Sequence, residues 1–173
     1  NLTNSPEGDE FPAWSPDVSQ LVYTRDGALF TMNADGSYWT PLWIVGWAPT
    51  WSPDGTQIAY TSSEGVSNAE IWVISPDGQG QPQRFNVTNH PAWDAHPAWS
   101  PLGDLIAFST DRDTNRDVYA AAPTGGPAVD MTGSVAAKAY SPSWSPSAHA
   151  VAFQSDAGGN FDIMYYEPGS VLP

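Results

Sequence analysis

Three groups of residues in this protein could do chemistry. Asp111, Asp113, Asn115 and Asp117 place oxygen side chains at alternate positions, as a calcium-binding loop does. The run lacks the central glycine and the distant bidentate glutamate of such a loop, and two arginines, Arg112 and Arg116, interrupt it. It therefore reads first as a hairpin turn, in which Asp and Asn bond their own backbone, and only second as a calcium site. His90, Asp94 and His96 are a second group, with the ligand types of a zinc site. Yet His96 stands where Phe11, Ala48 and Ser141 stand in copies of the same phrase, so it needs no special role. Hydrolysis finds no support: Gly-x-Ser-x-Gly and His-Glu-x-x-His are both missing, and the sequence has no cysteine. No catalytic residue is assigned, and no cofactor beyond the weak calcium candidate. The third group is aromatic: Trp43, Trp47 and Trp93 lie in connecting segments, where a large apolar ring has no evident packing duty.

The elements that must position these residues come from a repeat. The phrase x-Pro-x-Trp-Ser-Pro occurs four times, with its tryptophan at Trp14, Trp51, Trp99 and Trp144. Seven residues after each anchor stands an aliphatic residue, Leu21, Ile58, Ile106 or Val151, and two further on an aromatic one, Tyr23, Tyr60, Phe108 or Phe153. That offset suits a hairpin whose turn is clearest at Ser52-Pro-Asp-Gly55. A polar turn and a third strand follow (Leu29–Met32, Ile71–Ile74, Val118–Ala121, Ile163–Tyr166). Further Gly-bearing turns, such as Ser75–Gly78 and Glu167–Gly169, lead to a fourth strand ending at Thr40, Thr88 or Thr132. Four short strands per unit, without a helical stripe, predict an all-β fold: a β-propeller of four-stranded antiparallel blades, one domain over residues 1–173. Asn1-Leu-Thr3 matches the end of a fourth strand, so residues 1–3 are expected to complete the last blade. The four repeats then either close into a ring or form part of a larger propeller. The repeat also accounts for the two sequons, Asn1-Leu-Thr3 and Asn86-Val-Thr88.

These units resemble the WD-like repeat of TolB-type β-propellers, which runs Pro-x-Trp-Ser-Pro-Asp-Gly, aliphatic-Ala-Phe, a polar turn, Asp-Ile-Tyr-Val, a Gly turn and Leu-Thr. Unit two carries Pro49 to Gly55, Ile58-Ala-Tyr60 and Glu70-Ile-Trp-Val73; unit three carries Ile106-Ala-Phe108 and Asp117-Val-Tyr119. The departures are Val18 and Ala148 at the turn glycine, a short second hairpin in unit one, and four repeats where such propellers have six or more. The resemblance implies a bacterial, extracytoplasmic protein, periplasmic or secreted, that belongs to an assembly. It specifies the fold far better than the function, since the repeat serves in protein docking, in gating propellers of prolyl-oligopeptidase-like peptidases and in lyases.

Charge narrows the partners. Five Lys and Arg against 19 Asp and Glu give a formal net charge of -14, which repels nucleic acid and favours a neutral or basic protein. No apolar run approaches the roughly 20 residues of a membrane span, so association with a membrane would come through a larger complex. With Phe11, His96 and Tyr140, the three loop tryptophans make an aromatic face at the channel mouth, flanked by Glu7, Asp9, Glu10 and Asp94. The function expected is a non-catalytic protein-interaction module, a scaffold or accessory subunit; the alternative is a propeller that accompanies an enzyme, a peptidase or a carbohydrate-active protein.

Overall fold

The computed structural model describes residues 1–76, 83–113, 115–132 and 138–167, so Gly78 and the Pro168-Gly169 part of the last turn lie outside the described residues. Among the described residues, fifteen strands form four antiparallel sheets in strict chain order. The first sheet comprises β1 (Asp9–Trp14), β2 (Gln20–Arg25), β3 (Ala28–Asn33) and β4 (Thr40–Val45). The second comprises β5 (Trp47–Trp51), β6 (Ile58–Ser62), β7 (Glu70–Ile74) and β8 (Arg84–Asn86). The third holds β9 (Asp94–Trp99), β10 (Ile106–Thr110), β11 (Asp117–Ala121) and β12 (Val129–Asp130); the fourth, among the described residues, holds β13 (Ala139–Trp144), β14 (Val151–Ser155) and β15 (Asp162–Tyr166).

The repeated phrase works as a turn clamp. Each anchor pairs with the aliphatic residue seven positions on: Trp14 with Leu21, Trp51 with Ile58, Trp99 with Ile106, Trp144 with Val151. The serine after each anchor accepts a backbone N–H across the turn, at 2.9 Å from Gln20 to Ser15 and from Gln57 to Ser52. The Ser52 hydroxyl donates in turn to Asp54 at 2.6 Å, and Ser15 does the same to Asp17. These bonds hold the Asp17 carboxyl at about 2, below its ordinary 3.8, with the Ser15 hydroxyl the largest cause. The turn also needs one left-handed residue, which is Gly55 or Gly103 in two blades but Val18 (φ 61°) and Ala148 (φ 59°) in the others.

The core lies between the sheets. Val22, Leu29, Leu42 and Ile44 of the first blade pack with Trp51, Ile58, Tyr60 and Ile74 of the second. Residues of blade two meet Trp99, Ile106 and Phe108 in the same manner, and blade three meets Val151 and Phe153. The sheets stack as blades of an arc that is not closed. One expectation, of residues 1–3, is corrected by this. Trp14, in the register of the buried Trp51 and Trp99, is 51% exposed, because among the described residues no blade covers its side of β1. Residues 1–3 form no strand on the last blade; Leu2 and Thr3 lie instead over Leu21, Tyr23 and Met32, on that open face of the first.

Candidate functional site

Each first strand carries a bulge. Phe11, Ala48, His96 and Ser141 take left-handed φ values of 50–55°, and the following proline, at 12, 49, 97 or 142, has no ladder N–H to give. The bulge stitches blades together: the His96 N–H donates to the Thr61 hydroxyl of the preceding blade at 3.1 Å, and the Ser141 N–H to Ser109 at 2.9 Å. First strands begin where second strands end, as the pairs Asp9–Arg25, Asp94–Thr110 and Ala139–Ser155 record. One rim of the arc therefore gathers the starts of all first strands and the hairpins that follow all second strands.

On this rim the expected aromatic residues divide into two sets. Trp93, His96 and Tyr140 come together between blades three and four. The Trp93 and His96 rings meet edge-on at 5.9 Å, and the Arg116 guanidinium lies 4.5 Å from the Trp93 ring centre and 5.4 Å from that of Tyr140. Phe161 meets the Tyr140 ring edge-on at 5.7 Å. Buried Glu70 fixes the connection that carries Trp93, accepting from the Thr88 hydroxyl, the His90 backbone N–H and the Asn68 amide. Asp111 then accepts the Trp93 N–H at 2.7 Å. Burial and the Arg116 charge both push the His96 imidazole below its ordinary 6.5, and its Nδ1 is buried without a hydrogen-bond partner.

Trp43 belongs to the other set, at the first blade, and corrects the sequence reading. It lies in β4, not in a connection, and β4 begins at Thr40, the residue expected to end the strand. Pro41 pairs with Phe30, the register place taken by Asn86 opposite Trp72 and Asp130 opposite Tyr119. Counted from there, Trp43 holds the place of Thr88 and Thr132, and Thr40 stands three residues short of it. Thr88 and Thr132 cap the third strand by accepting the N–H of Ile71 and Val118 at 3.0 and 2.9 Å. Trp43 replaces that cap with a bulge, at φ 58° and 82% exposed. Trp47 opens β5, half-buried, behind Gly46, whose added Cβ would stand 2.7 Å from the Thr61 carbonyl. Phe11 is exposed on the first blade, as is Trp39, at 60%.

The acidic residues have structural partners. Asp9 takes both Nε and a terminal nitrogen of Arg25, at 2.7 and 3.1 Å, and this bond holds its carboxyl below the usual range. Asp94, fully buried, is bound by Arg112 at 2.7 Å. Of the calcium candidates, Asp111 holds the Trp93 backbone, Asp113 accepts from the Tyr119 hydroxyl at 2.5 Å, and Asp117 accepts from Thr132. These oxygens answer to separate partners and do not converge. Among the described residues no group of three or more His, Asp and Glu side chains is arranged to hold a metal ion. His90 turns its Nδ1 to the Ala92 N–H and so stays out of any zinc constellation. Sequence reasoning missed Arg116 and Phe161, because both sit in turns where polar content alone was expected.

Four antiparallel blades in chain order, each packed face to face on the next, define a β-propeller architecture. The sequence profile of the TolB beta propeller domain matches residues 42–170, and the chain belongs to that family. A TolB from Agrobacterium tumefaciens superposes with a TM-score of 0.82 at 24% identity, over 96% of this chain and 61% of its own. The TolB of Acinetobacter baumannii gives 0.79 at 19% identity, over 97% of this chain and 43% of its own. A puromycin-hydrolyzing peptidase of Mycobacterium tuberculosis gives 0.68 at 19% identity, over 87% of this chain and 26% of its own. This chain thus spans less than two thirds of the length of these proteins. A comparison with curated proteins finds no match. Among the described residues, no helix is long and apolar enough to cross a membrane.

Proposed function

We propose that this chain is a non-catalytic protein-docking module, acting outside the bacterial cytoplasm as a scaffold or accessory subunit of a larger, membrane-associated assembly. The observation that carries the reading is Trp43. A tryptophan held in a left-handed bulge at 82% exposure costs backbone strain and hides almost no apolar surface in this protein. Such a ring, mounted on a rigid sheet, loses little side-chain freedom when a partner covers it, which is how aromatic anchors come to dominate interfaces. Val45, exposed two residues further along the same strand, adds apolar surface beside it. The net charge of -14 directs this face toward a neutral or basic protein. The test is association with envelope proteins of the source bacterium, read by site-specific crosslinking from this rim. Trp43→Ala should abolish the adduct while leaving the melting temperature within a few degrees. Unchanged crosslinking by Trp43→Ala and Trp47→Ala would sink the reading.

The likeness to a peptidase favours a second reading, in which the propeller accompanies a catalytic domain. A native polypeptide much heavier than 18.6 kDa that carries a hydrolase would support it.

A further inference from the structure

The arginines of this protein obey a rule with one exception. Arg25 lies over the rings of Tyr23 and Phe30, at 5.4 and 5.5 Å, and its in-plane nitrogens bind Asp9. Arg112 lies over Phe108 and Tyr119, at 5.3 and 5.7 Å, and binds Asp94. Arg84 lies over Trp72 at 5.1 Å and binds Glu64 at 2.6 Å. The fold thus uses one device three times: a guanidinium lies over one or two aromatic rings and a carboxylate binds its N–H groups. Arg116 has the rings, Trp93 and Tyr140, at 4.5 and 5.4 Å, but no carboxylate or other hydrogen-bond acceptor among the described residues.

We propose that Arg116, held over the rings of Trp93 and Tyr140, is a receptor for the carboxylate of a bound peptide. Contact with the rings occupies none of the N–H donors, which lie in the guanidinium plane, the arrangement that binds a carboxylate through two parallel bonds. The rings also exclude water from those bonds, which strengthens them. His96, edge-on to Trp93 with its Nδ1 buried, brings no negative charge to the site. Lys138 precedes the Ala139 that donates its N–H to the Arg116 carbonyl, and its own backbone N–H is taken by Asp156 at 2.8 Å. Asp111, whose Oδ1 is engaged by the Trp93 N–H, already has a partner of its own. Beside these groups Phe161, 60% exposed against Tyr140, offers a ring to an apolar residue next to the carboxylate. The ligand is then a segment that carries a carboxylate beside an apolar side chain, either at the C-terminal end of a peptide or as Asp or Glu. This is a local exception to the acidic surface. A peptide source rests on the docking reading of the rim; recognition of the carboxylate does not.

The test is a titration of the whole protein, followed through Trp fluorescence and the Arg116 Nε–H resonance. The probes are acetyl-Gly-Phe with a free C-terminal carboxylate, its amide, acetyl-Phe-Glu-amide and trigalacturonate. At least one carboxylate peptide should bind about tenfold or more tightly than the neutral amide, and which of the two does so identifies a terminal or a side-chain carboxylate. Arg116→Gln should lose that preference, and Trp43→Ala should keep it even if protein docking is lost, which separates the two readings. Equal binding of acid and amide, or an Arg116 resonance unmoved by both carboxylate peptides, would overturn the proposal whether or not Arg116→Gln folds. Tighter binding of trigalacturonate than of either peptide would overturn the peptide assignment.

Discussion

At the scale of single residues, the two titrating groups with clear environments act in opposite directions. Burial raises the Asp117 carboxyl above its ordinary 3.8, helped by Asp130 and Asp113, against a lowering bond from Thr132. The folded state therefore holds its proton more firmly than the unfolded polypeptide. Stability falls as pH rises from the ordinary value through the raised one, and the cost is complete above it. Asp117→Asn, which keeps an acceptor for Thr132, is expected to raise the melting temperature at pH 7, with the gain vanishing toward the acid end of a pH series. His96 works the other way. Its folded value lies below 6.5, so the unfolded polypeptide binds the proton first, and stability is lost as pH falls through and below 6.5. Its imidazole should titrate below that value by NMR, and Arg116→Gln should move the midpoint upward by removing the nearby positive charge. Arg116 itself was invisible as a candidate in the sequence, because contact with the rings of Trp93 and Tyr140 is not a property of its neighbours along the backbone.

At the scale of the element, the repeated turn sets a requirement that two blades meet poorly. A left-handed residue follows each Ser-Pro-x, and Val18 there is 60% exposed, so it gains little burial in return for its conformation. Val18→Gly should stabilise the protein by about 1 kcal/mol, the left-handed penalty less the entropy of glycine. The reverse change, Gly55→Ala, should cost about 1–2 kcal/mol, and for conformational reasons, since the new methyl meets only Pro16 at an ordinary 3.7 Å. Urea midpoints of both variants check this. The pairing of every anchor with the residue seven positions on was readable in the sequence, because the turn closes over a fixed number of residues. The fourth strand was not. Thr40 matches the Thr88 and Thr132 pattern by spacing, but pairing with β3 slides the register by three and puts Trp43 in their place.

At the scale of the molecule, stability comes from contacts between blades, so equivalent positions are not energetically equivalent. Trp51 is 7% exposed between the first and second blades, while Trp14 is 51% exposed on the open face. Trp51→Ala is expected to cost about 3–5 kcal/mol, and Trp14→Ala far less. Chemical denaturation measures both; equal losses would mean that the first blade's open face is covered in solution. The same stacking of blades brings Trp93 of one blade and Tyr140 of the next to one guanidinium, and so assembles the Arg116 site from two repeats.

What the sequence determined by itself was the strand count per blade, the turns and the family, because these depend on short-range spacing that every copy repeats. Trp-Ser-Pro-Asp-Gly carries its own hydrogen bonds, so its meaning is local. Only the tertiary structure decided which anchors are buried, where Trp43 sits and which stacked arginine, among the described residues, has no carboxylate. Each of those depends on what the neighbouring strand or blade brings to the contact, and that partner stands tens of residues away along the backbone.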